Sequence, residues 1–158
     1  MAERLVINTG PLVALGRTSA TAAVARMPFE VIAPMEVRRE LDAGAATGHV
    51  RGDVSWVRFV ALKRPLSALA TSNLDPGEAA VIQLALDEGI EIVCIDERKG
   101  RRAALAVGLR ITGTLGLLGR AKALGLLPSV RPIVEEMVAS GDWFDEELLA
   151  RFYTAIGE

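Results

Sequence analysis

Histidine and cysteine each occur once in the 158 residues, and aromatic side chains make up only 4% of them. Each scarcity removes a class of chemistry. Cys94 has no second thiol to pair with, so an intramolecular disulfide is excluded. Its place in the apolar stretch Ile92-Val93-Cys94-Ile95 reads as that of a small buried hydrophobe. His49 stands alone in a loop of small residues, which rules out a Cys/His zinc site. It also leaves no nucleophile elbow with which to build a Ser-His-Asp or Cys-His mechanism. So few aromatic rings provide little platform for stacking bases. No apolar run is long enough to span a bilayer, and the start Met1-Ala2-Glu3-Arg4 is polar, so an intracellular, cytoplasmic protein without a secretory signal or membrane contact is expected. A formal charge of -2 excludes a protein held on nucleic acid by overall positive charge, while a local basic patch stays open. Arginine dominates the 18 basic residues, which fits bidentate phosphate recognition and fits genome composition equally well.

Apolar residues account for 51% of the chain and charged ones for 24%, enough for one large core and a single domain over 1–158. Strands are expected over 5–7, 29–32, 57–62, 92–95 and 109–112, from short runs rich in β-branched residues. Helices alternate with them. Pro11 opens a short one to Gly16, Ser19 caps a second to about Arg26, and Pro34 introduces a third over 35–41, with Gly44 marking its end. Between 43 and 64 the pattern loosens to a small-residue loop, a turn of helix near 52–55 and a strand, and 65–73 reads as a connector. Asp75-Pro76-Gly77-Glu78 then carries the pattern of a capping box and opens a helix that Gly89 ends. Helices over 98–107, 130–139 and 146–156 follow, the last capped by Asp145, stapled by Phe144 and Leu149, and striped by Leu148, Leu149, Phe152 and Ile156. The glycines of Gly113-Thr114-Leu115-Gly116-Leu117-Leu118-Gly119 do not have dinucleotide-loop spacing, and Gly116 and Gly119 fit close helix packing instead. Alternating strands and helices without repeats or linkers give an α/β fold with a mainly parallel sheet.

Parallel strands bring their carboxyl ends to one edge, where open α/β sheets bind ligands. Asn8, Asp96 and Thr112 stand at such ends, and Glu40 and Glu78 lie on helices that can reach them. Oxygen donors without histidine or cysteine favour Mg²⁺ or Mn²⁺, ions that keep water and share themselves with phosphate. Arg98, Lys99, Arg101 and Arg102 follow Asp96 directly and could receive a phosphate backbone. Each residue also has a plainer reading. Asp96 could cap the next helix, Glu78 could complete the capping box, and Glu40 and the basic run could be solvated helix faces, Glu40 beside Glu36 and Arg39.

The strings Val6-Ile7-Asn8-Thr9-Gly10-Pro11-Leu12, Val37-Arg38-Arg39-Glu40-Leu41, Asp75-Pro76-Gly77-Glu78-Ala79, Ile95-Asp96-Glu97-Arg98 and Thr112-Gly113-Thr114-Leu115-Gly116 occur in the order found in PIN domains. The chain resembles that family over nearly its whole length, and most closely a prokaryotic branch similar to VapC-type toxin ribonucleases. The resemblance implies a three-layer α/β/α fold and a ribonuclease dependent on Mg²⁺ or Mn²⁺. It places Glu40, Glu78 and Asp96 as metal ligands and catalytic residues, with Asn8 where the family usually has its first aspartate. Thr112 or Thr114 would stand near a further polar ligand, and Arg98, Arg101 or Arg102 would contact substrate phosphates. RNA would be the substrate, an antitoxin protein a partner, and a homodimer the assembly common among similar proteins. The competing expectation is a PIN-like module that has lost catalysis through Asn8 and works by binding RNA or a partner protein. A phosphotransfer receiver domain would need paired acids after the first strand, and this chain has Asn8-Thr9 there.

Overall fold

A computed structural model describes residues 3–49 and 52–158, so Met1 and Ala2 of the polar start and Val50 and Arg51 of the expected loop lie outside the described residues. Five strands, β1 (Glu3–Ile7), β2 (Phe29–Pro34), β3 (Arg58–Val60), β4 (Ile92–Cys94) and β5 (Arg110–Thr112), form one sheet in the order β3-β2-β1-β4-β5. Every pairing is parallel, with Leu5 opposite both Val31 and Ile92 and Val93 opposite Ile111. Around the sheet lie α1 (Thr9–Gly16), α2 (Thr21–Ala25), α3 (Met35–Ala46), α4 (Ala68–Asn73), α5 (Pro76–Glu88), α6 (Arg98–Ala106), α7 (Thr114–Ala123), α8 (Arg131–Ala139) and α9 (Glu146–Ala155). Helix α5 lies over β1, β2 and β4 between α3 and α6, whereas α7 packs with α1 and α2 and reaches β5. The result is the three-layer α/β/α architecture that the family resemblance implies, with the parallel sheet that the alternation of strands and helices predicts. No helix among the described residues is long and apolar enough to cross a membrane.

Burial explains the central strands. Val6, Ile7, Val93, Cys94 and Ile95 are all fully buried, as befits strands covered on both faces. Burial pushes the Cys94 thiol well up, the neighbouring Asp96 adds to this, and so the lone cysteine stays a protonated core residue. The chain leaves β1 toward β2 and β3, then returns across the sheet to β4 and β5. The direction of connection therefore reverses between β1 and β4, which makes their carboxyl ends the topological switch point.

Several local expectations are met and several are not. Asp75 and Glu78 make both bonds of the capping box, and Gly89 adopts a left-handed conformation with φ 66° to end α5. Asp145 caps α9 by accepting from the Leu148 N–H. A Cβ on Gly119 would stand 3.3 Å from the Phe152 ring, so α7 and α9 do approach closely there. Leu148, however, is 47% exposed, which narrows the apolar stripe of α9 to the half-buried Leu149, Phe152 and Ile156. Ser19 is not a cap: its N–H and hydroxyl both donate to the Glu136 carboxylate, and Ala20 occupies the cap position. Pro11 is the third residue of α1, where its missing N–H still removes no helical bond. Gly44 does not stop α3, which runs to Ala46, because one interior glycine costs a helix only about 1 kcal/mol. Gly52 to Ser55 is not helical; Asp53 accepts from the Ser55 N–H, and Gly52 lies directly on the backbone of Gly16. The expected connector contains α4, capped by the Ser67 hydroxyl oxygen accepting from the Ala70 N–H.

Glu158 closes α9 onto α8. Its carboxylate accepts from the Ser129 hydroxyl, the Val130 and Arg131 N–H groups and the Lys122 ammonium, at 2.6–3.0 Å. Burial alone would raise its pKa, but these donors, led by Ser129, hold it down to about 2 from an ordinary 4.5. Because the folded value is depressed, the stabilisation is complete above the unfolded value and is lost as pH falls through the folded one. Glu158→Gln should cost about 2 kcal/mol at pH 7, the range for hydrogen bonds to a charged group. In thermal unfolding that is a drop of about 4–8 °C. The gap from the parent should close as the pH is lowered from 4.5 toward 2; a gap independent of pH would mean that the charge is not what holds the helix.

Candidate functional site

Asn8 directly follows β1, and its N–H continues the ladder by donating to the Cys94 carbonyl at 3.0 Å. This fixes its side chain at the switch point, beside the end of β4. Asn8 is 5% exposed and stands at the N-cap of α1, yet makes no cap bond, and its Oδ1 has no hydrogen-bond partner. A buried acceptor left so costs about 1–3 kcal/mol, which calls for a reason.

Asp96 lies two residues beyond β4 with an exposed side chain. It does not cap α6; Glu97 holds that position, without a side-chain bond. The Asp96 carboxylate instead reaches past the end of β5 to α7, where Oδ1 accepts from the Thr114 N–H at 2.8 Å and Oδ2 from the Thr114 hydroxyl at 2.6 Å. Thr114 is the first residue of α7 and is buried. One free N–H of that helix end is thereby satisfied, and both Asp96 oxygens are held in a fixed plane. The Thr112 hydroxyl is packed against the backbone of Gly116, on the first turn of α7.

Glu78 and Glu40 arrive from helices. Helix α5 runs antiparallel to the strands, so its N-terminus lies at their carboxyl ends and brings Glu78 there, 5% exposed. Glu78 Oε1 accepts from the Asp75 N–H, whereas its Oε2 is buried without a partner. Burial foremost, then the charge of Asp75, raises the Glu78 pKa above the usual carboxylate value. Glu40 accepts the Thr9 hydroxyl at 2.6 Å, which ties α3 to the end of β1. Of the two acids one turn apart on α3, Glu40 is therefore the one at the edge, and Glu36 pairs with Arg39 along the helix.

Three glycines shape the spaces between these acids. A Cβ on Gly77 would stand 2.2 Å from Glu40 Oε1, one on Gly100 2.6 Å from Glu78 Oε2, and one on Gly113 2.7 Å from Asp96 Oδ1. Each carboxylate thus rests on backbone that only glycine exposes. Thr9 and these glycines escape a reading of the sequence for charged ligands. The one available signal is Gly100, placed inside a basic helix with no turn to explain it.

The chemistry of the donors can be tested against the hard cation the sequence implies. Among the described residues, no three His, Cys, Asp or Glu side chains stand close enough to enclose an ion. A closed protein cage is therefore not built. The set does offer oxygen donors only, two of them buried and unpartnered, Asn8 Oδ1 and Glu78 Oε2. That suits Mg²⁺ or Mn²⁺, which one or two carboxylates hold while waters and a phosphate complete the shell.

Arg98, Lys99 and Arg102 are exposed on the first turns of α6 and have no ion-pair or hydrogen-bond partner among the described residues. Cations at a helix N-terminus oppose its dipole, by about 0.3–1 kcal/mol each. Arg101 differs: its guanidinium turns inward and donates to the Ile95 and Thr112 carbonyls.

A family model described as a PIN domain matches residues 4–158. The chain belongs to the PIN domain family. No curated protein is similar to it in sequence. PIN domains are generally nucleases and typically use divalent metal ions. In this PIN domain Asn8, Glu40, Glu78, Asp96 and Thr114 all stand on the carboxyl edge of the sheet, Thr112 ends β5 with its hydroxyl against Gly116, and the free cations line one flank.

Proposed function

We propose that the protein is a metal-dependent endoribonuclease that hydrolyses RNA phosphodiester bonds. The observation that carries this reading is the pair of buried, unpartnered oxygens, Asn8 Oδ1 and Glu78 Oε2, at the switch point beside Asp96. Glu78, Asp96 and Glu40, which must draw together from their ion-free positions, would hold Mg²⁺ or Mn²⁺, with Asn8 adding a neutral amide oxygen or orienting a water. The ion supplies a Lewis acid for the phosphate and lowers the pKa of water. Thr114 keeps Asp96 aimed, and Thr9 does the same for Glu40. Arg98, Lys99 and Arg102 receive the phosphates on either side of the scissile bond, which explains cations placed against a helix dipole. With few aromatic side chains, recognition rests on backbone charge and shape.

The same chemistry fits the toxin half of a toxin–antitoxin pair, and we extend the proposal to an antitoxin protein and a homodimer as partners. A second reading, a PIN domain that binds RNA without cutting it, draws on Asn8, which removes one negative charge from the site, and on the open donor set. Cleavage of a mixed-sequence single-stranded RNA separates the two. The parent should cut with Mg²⁺ or Mn²⁺ and not with chelator, and Asp96→Asn should cut at least about a hundredfold more slowly. Equal cutting by both proteins would identify a contaminant. RNA binding without cleavage in either metal would replace the nuclease with the binding module.

A further inference from the structure

Of the four cations that open α6, three point to solvent and one does not. Arg101 is half-buried, and its Nη1 donates to the Ile95 carbonyl at 2.8 Å and the Thr112 carbonyl at 3.2 Å. Those oxygens sit where β4 and β5 end. The Thr112 carbonyl already accepts the last ladder bond, from the Ile95 N–H at 3.0 Å, so Arg101 fills its second lone pair. No other donor among the described residues serves the Ile95 carbonyl.

Each of the two carbonyls is coupled to a residue of the site. The Ile95 carbonyl belongs to the rigid peptide unit that carries Asp96, and the Thr112 carbonyl to the unit that carries Gly113, one residue before Thr114. One guanidinium therefore grips both peptide planes from which the Asp96–Thr114 contact is built. Gly113 permits the approach: a Cβ there would lie 3.0 Å from Arg101 Nη1 and 2.7 Å from Asp96 Oδ1. The two charged groups are thus near neighbours on one glycine, although they make no direct ion pair.

We propose that Arg101 is a positioning residue for Asp96, and not a phosphate contact like Arg98 and Arg102. It holds the ends of β4 and β5 in the register at which Thr114 can bind both carboxylate oxygens. Its consequence for a metal ion rests on the nuclease reading of the same site. Its effect on Asp96 and Thr114 does not.

The test compares Arg101→Met, Arg101→Lys and Arg102→Met with the parent. Hydrogen exchange at the Thr114 amide, which donates to Asp96, should quicken about tenfold in Arg101→Met. The Val81 amide in the buried α5 should not change. Mn²⁺ affinity, read from the loss of the free-ion paramagnetic resonance signal, should fall at least about tenfold, as it does when a residue supporting a ligand is removed. Arg101→Lys keeps a charge that reaches a carbonyl and should recover part of both effects; it also carries the test if Arg101→Met does not fold. Arg102→Met should weaken RNA binding in chelator and leave Thr114 exchange and Mn²⁺ affinity as they were. Unchanged Thr114 exchange in both Arg101 variants overturns the proposal, and a fall in chelator-resistant RNA binding with it would make Arg101 a phosphate contact. If the parent binds no Mn²⁺ while Thr114 exchange still responds, the nuclease reading fails and the positioning of Asp96 stands.

Discussion

Glu78→Gln is expected to fold at least as well as the parent and to lose metal-dependent cleavage by at least about a hundredfold, more than the loss of a supporting contact brings. The two halves have the same origin. In the metal-free protein the ionised Glu78 is buried next to Asp75 and Glu97, and its pKa is raised above 4.5. An acid whose folded pKa is raised penalises folding above that value, and the penalty disappears below the unfolded one. Glutamine removes the charge and keeps the local structure, since it serves as well as glutamate at the third position of a capping box, and the Asp75 oxygen still accepts from the residue 78 N–H. In chelator at pH 7 the variant should therefore melt above the parent, with the difference closing as the pH falls toward 4.5. Adding Mg²⁺ should reverse the order, because an ion bound only by the folded parent stabilises that parent alone. A variant that melts lower at every pH would make Glu78 a capping residue first. Retained cleavage would remove it from the site.

What the sequence could tell about this fold divides along the range of the interactions. β1 and β4 were legible because β-branched, apolar runs that end at Asn8 and Asp96 are local signals, and so was α5, whose box and terminal glycine lie within a few residues of the helix. The site was legible only as strand ends. That Glu40 and Glu78 belong with them came from motif order, because nothing near Glu40 in the sequence announces Thr9, 31 positions away. The Asp96–Thr114 contact spans 18 residues and exists only because β4 and β5 pair with Cys94 opposite Thr112. Asp96 does satisfy a helix end, but that of α7, so the local capping rule chose the right chemistry and the wrong partner. Arg101 looked like Arg98 and Arg102 for the same reason: nothing local distinguishes a solvated cation from one that faces two carbonyls. The misplaced ends of α2 and α3 and the unexpected α4 show the other limit. Ser19 had a better partner in Glu136, 117 residues away, and no local rule could weigh that.

Gly100→Ala and Gly77→Ala, the same chemical change on two helices, are expected to fail differently, and the contrast tests whether the glycines serve the site or the fold. At Gly100 the new methyl would lie 2.6 Å from Glu78 Oε2 and 2.8 Å from the Ile95 side chain. Ile95 is fully buried and β-branched, so it cannot swing aside. Helix α6 would have to lift from α5 and β4, and overpacking of this kind costs about 1–3 kcal/mol, more than the roughly 1 kcal/mol that alanine gains over glycine in a helix. A Tm several degrees lower is expected, together with loss of cleavage. At Gly77 the three atoms nearest the new methyl all belong to the Glu40 carboxylate. That carboxylate can move, so no backbone has to shift, and with the alanine gain set against the hydrogen bond lost to Glu40 the Tm should change little. Its hydrogen bond from Thr9 should break, and with Glu40 displaced Mn²⁺ affinity should fall about tenfold or more. Thermal unfolding in chelator and Mn²⁺ binding, measured on both variants, read the two effects separately. If Gly77→Ala keeps its Mn²⁺ affinity, Glu40 is a partner of Thr9 alone, and the ion must be held by Glu78, Asp96 and Asn8 without it.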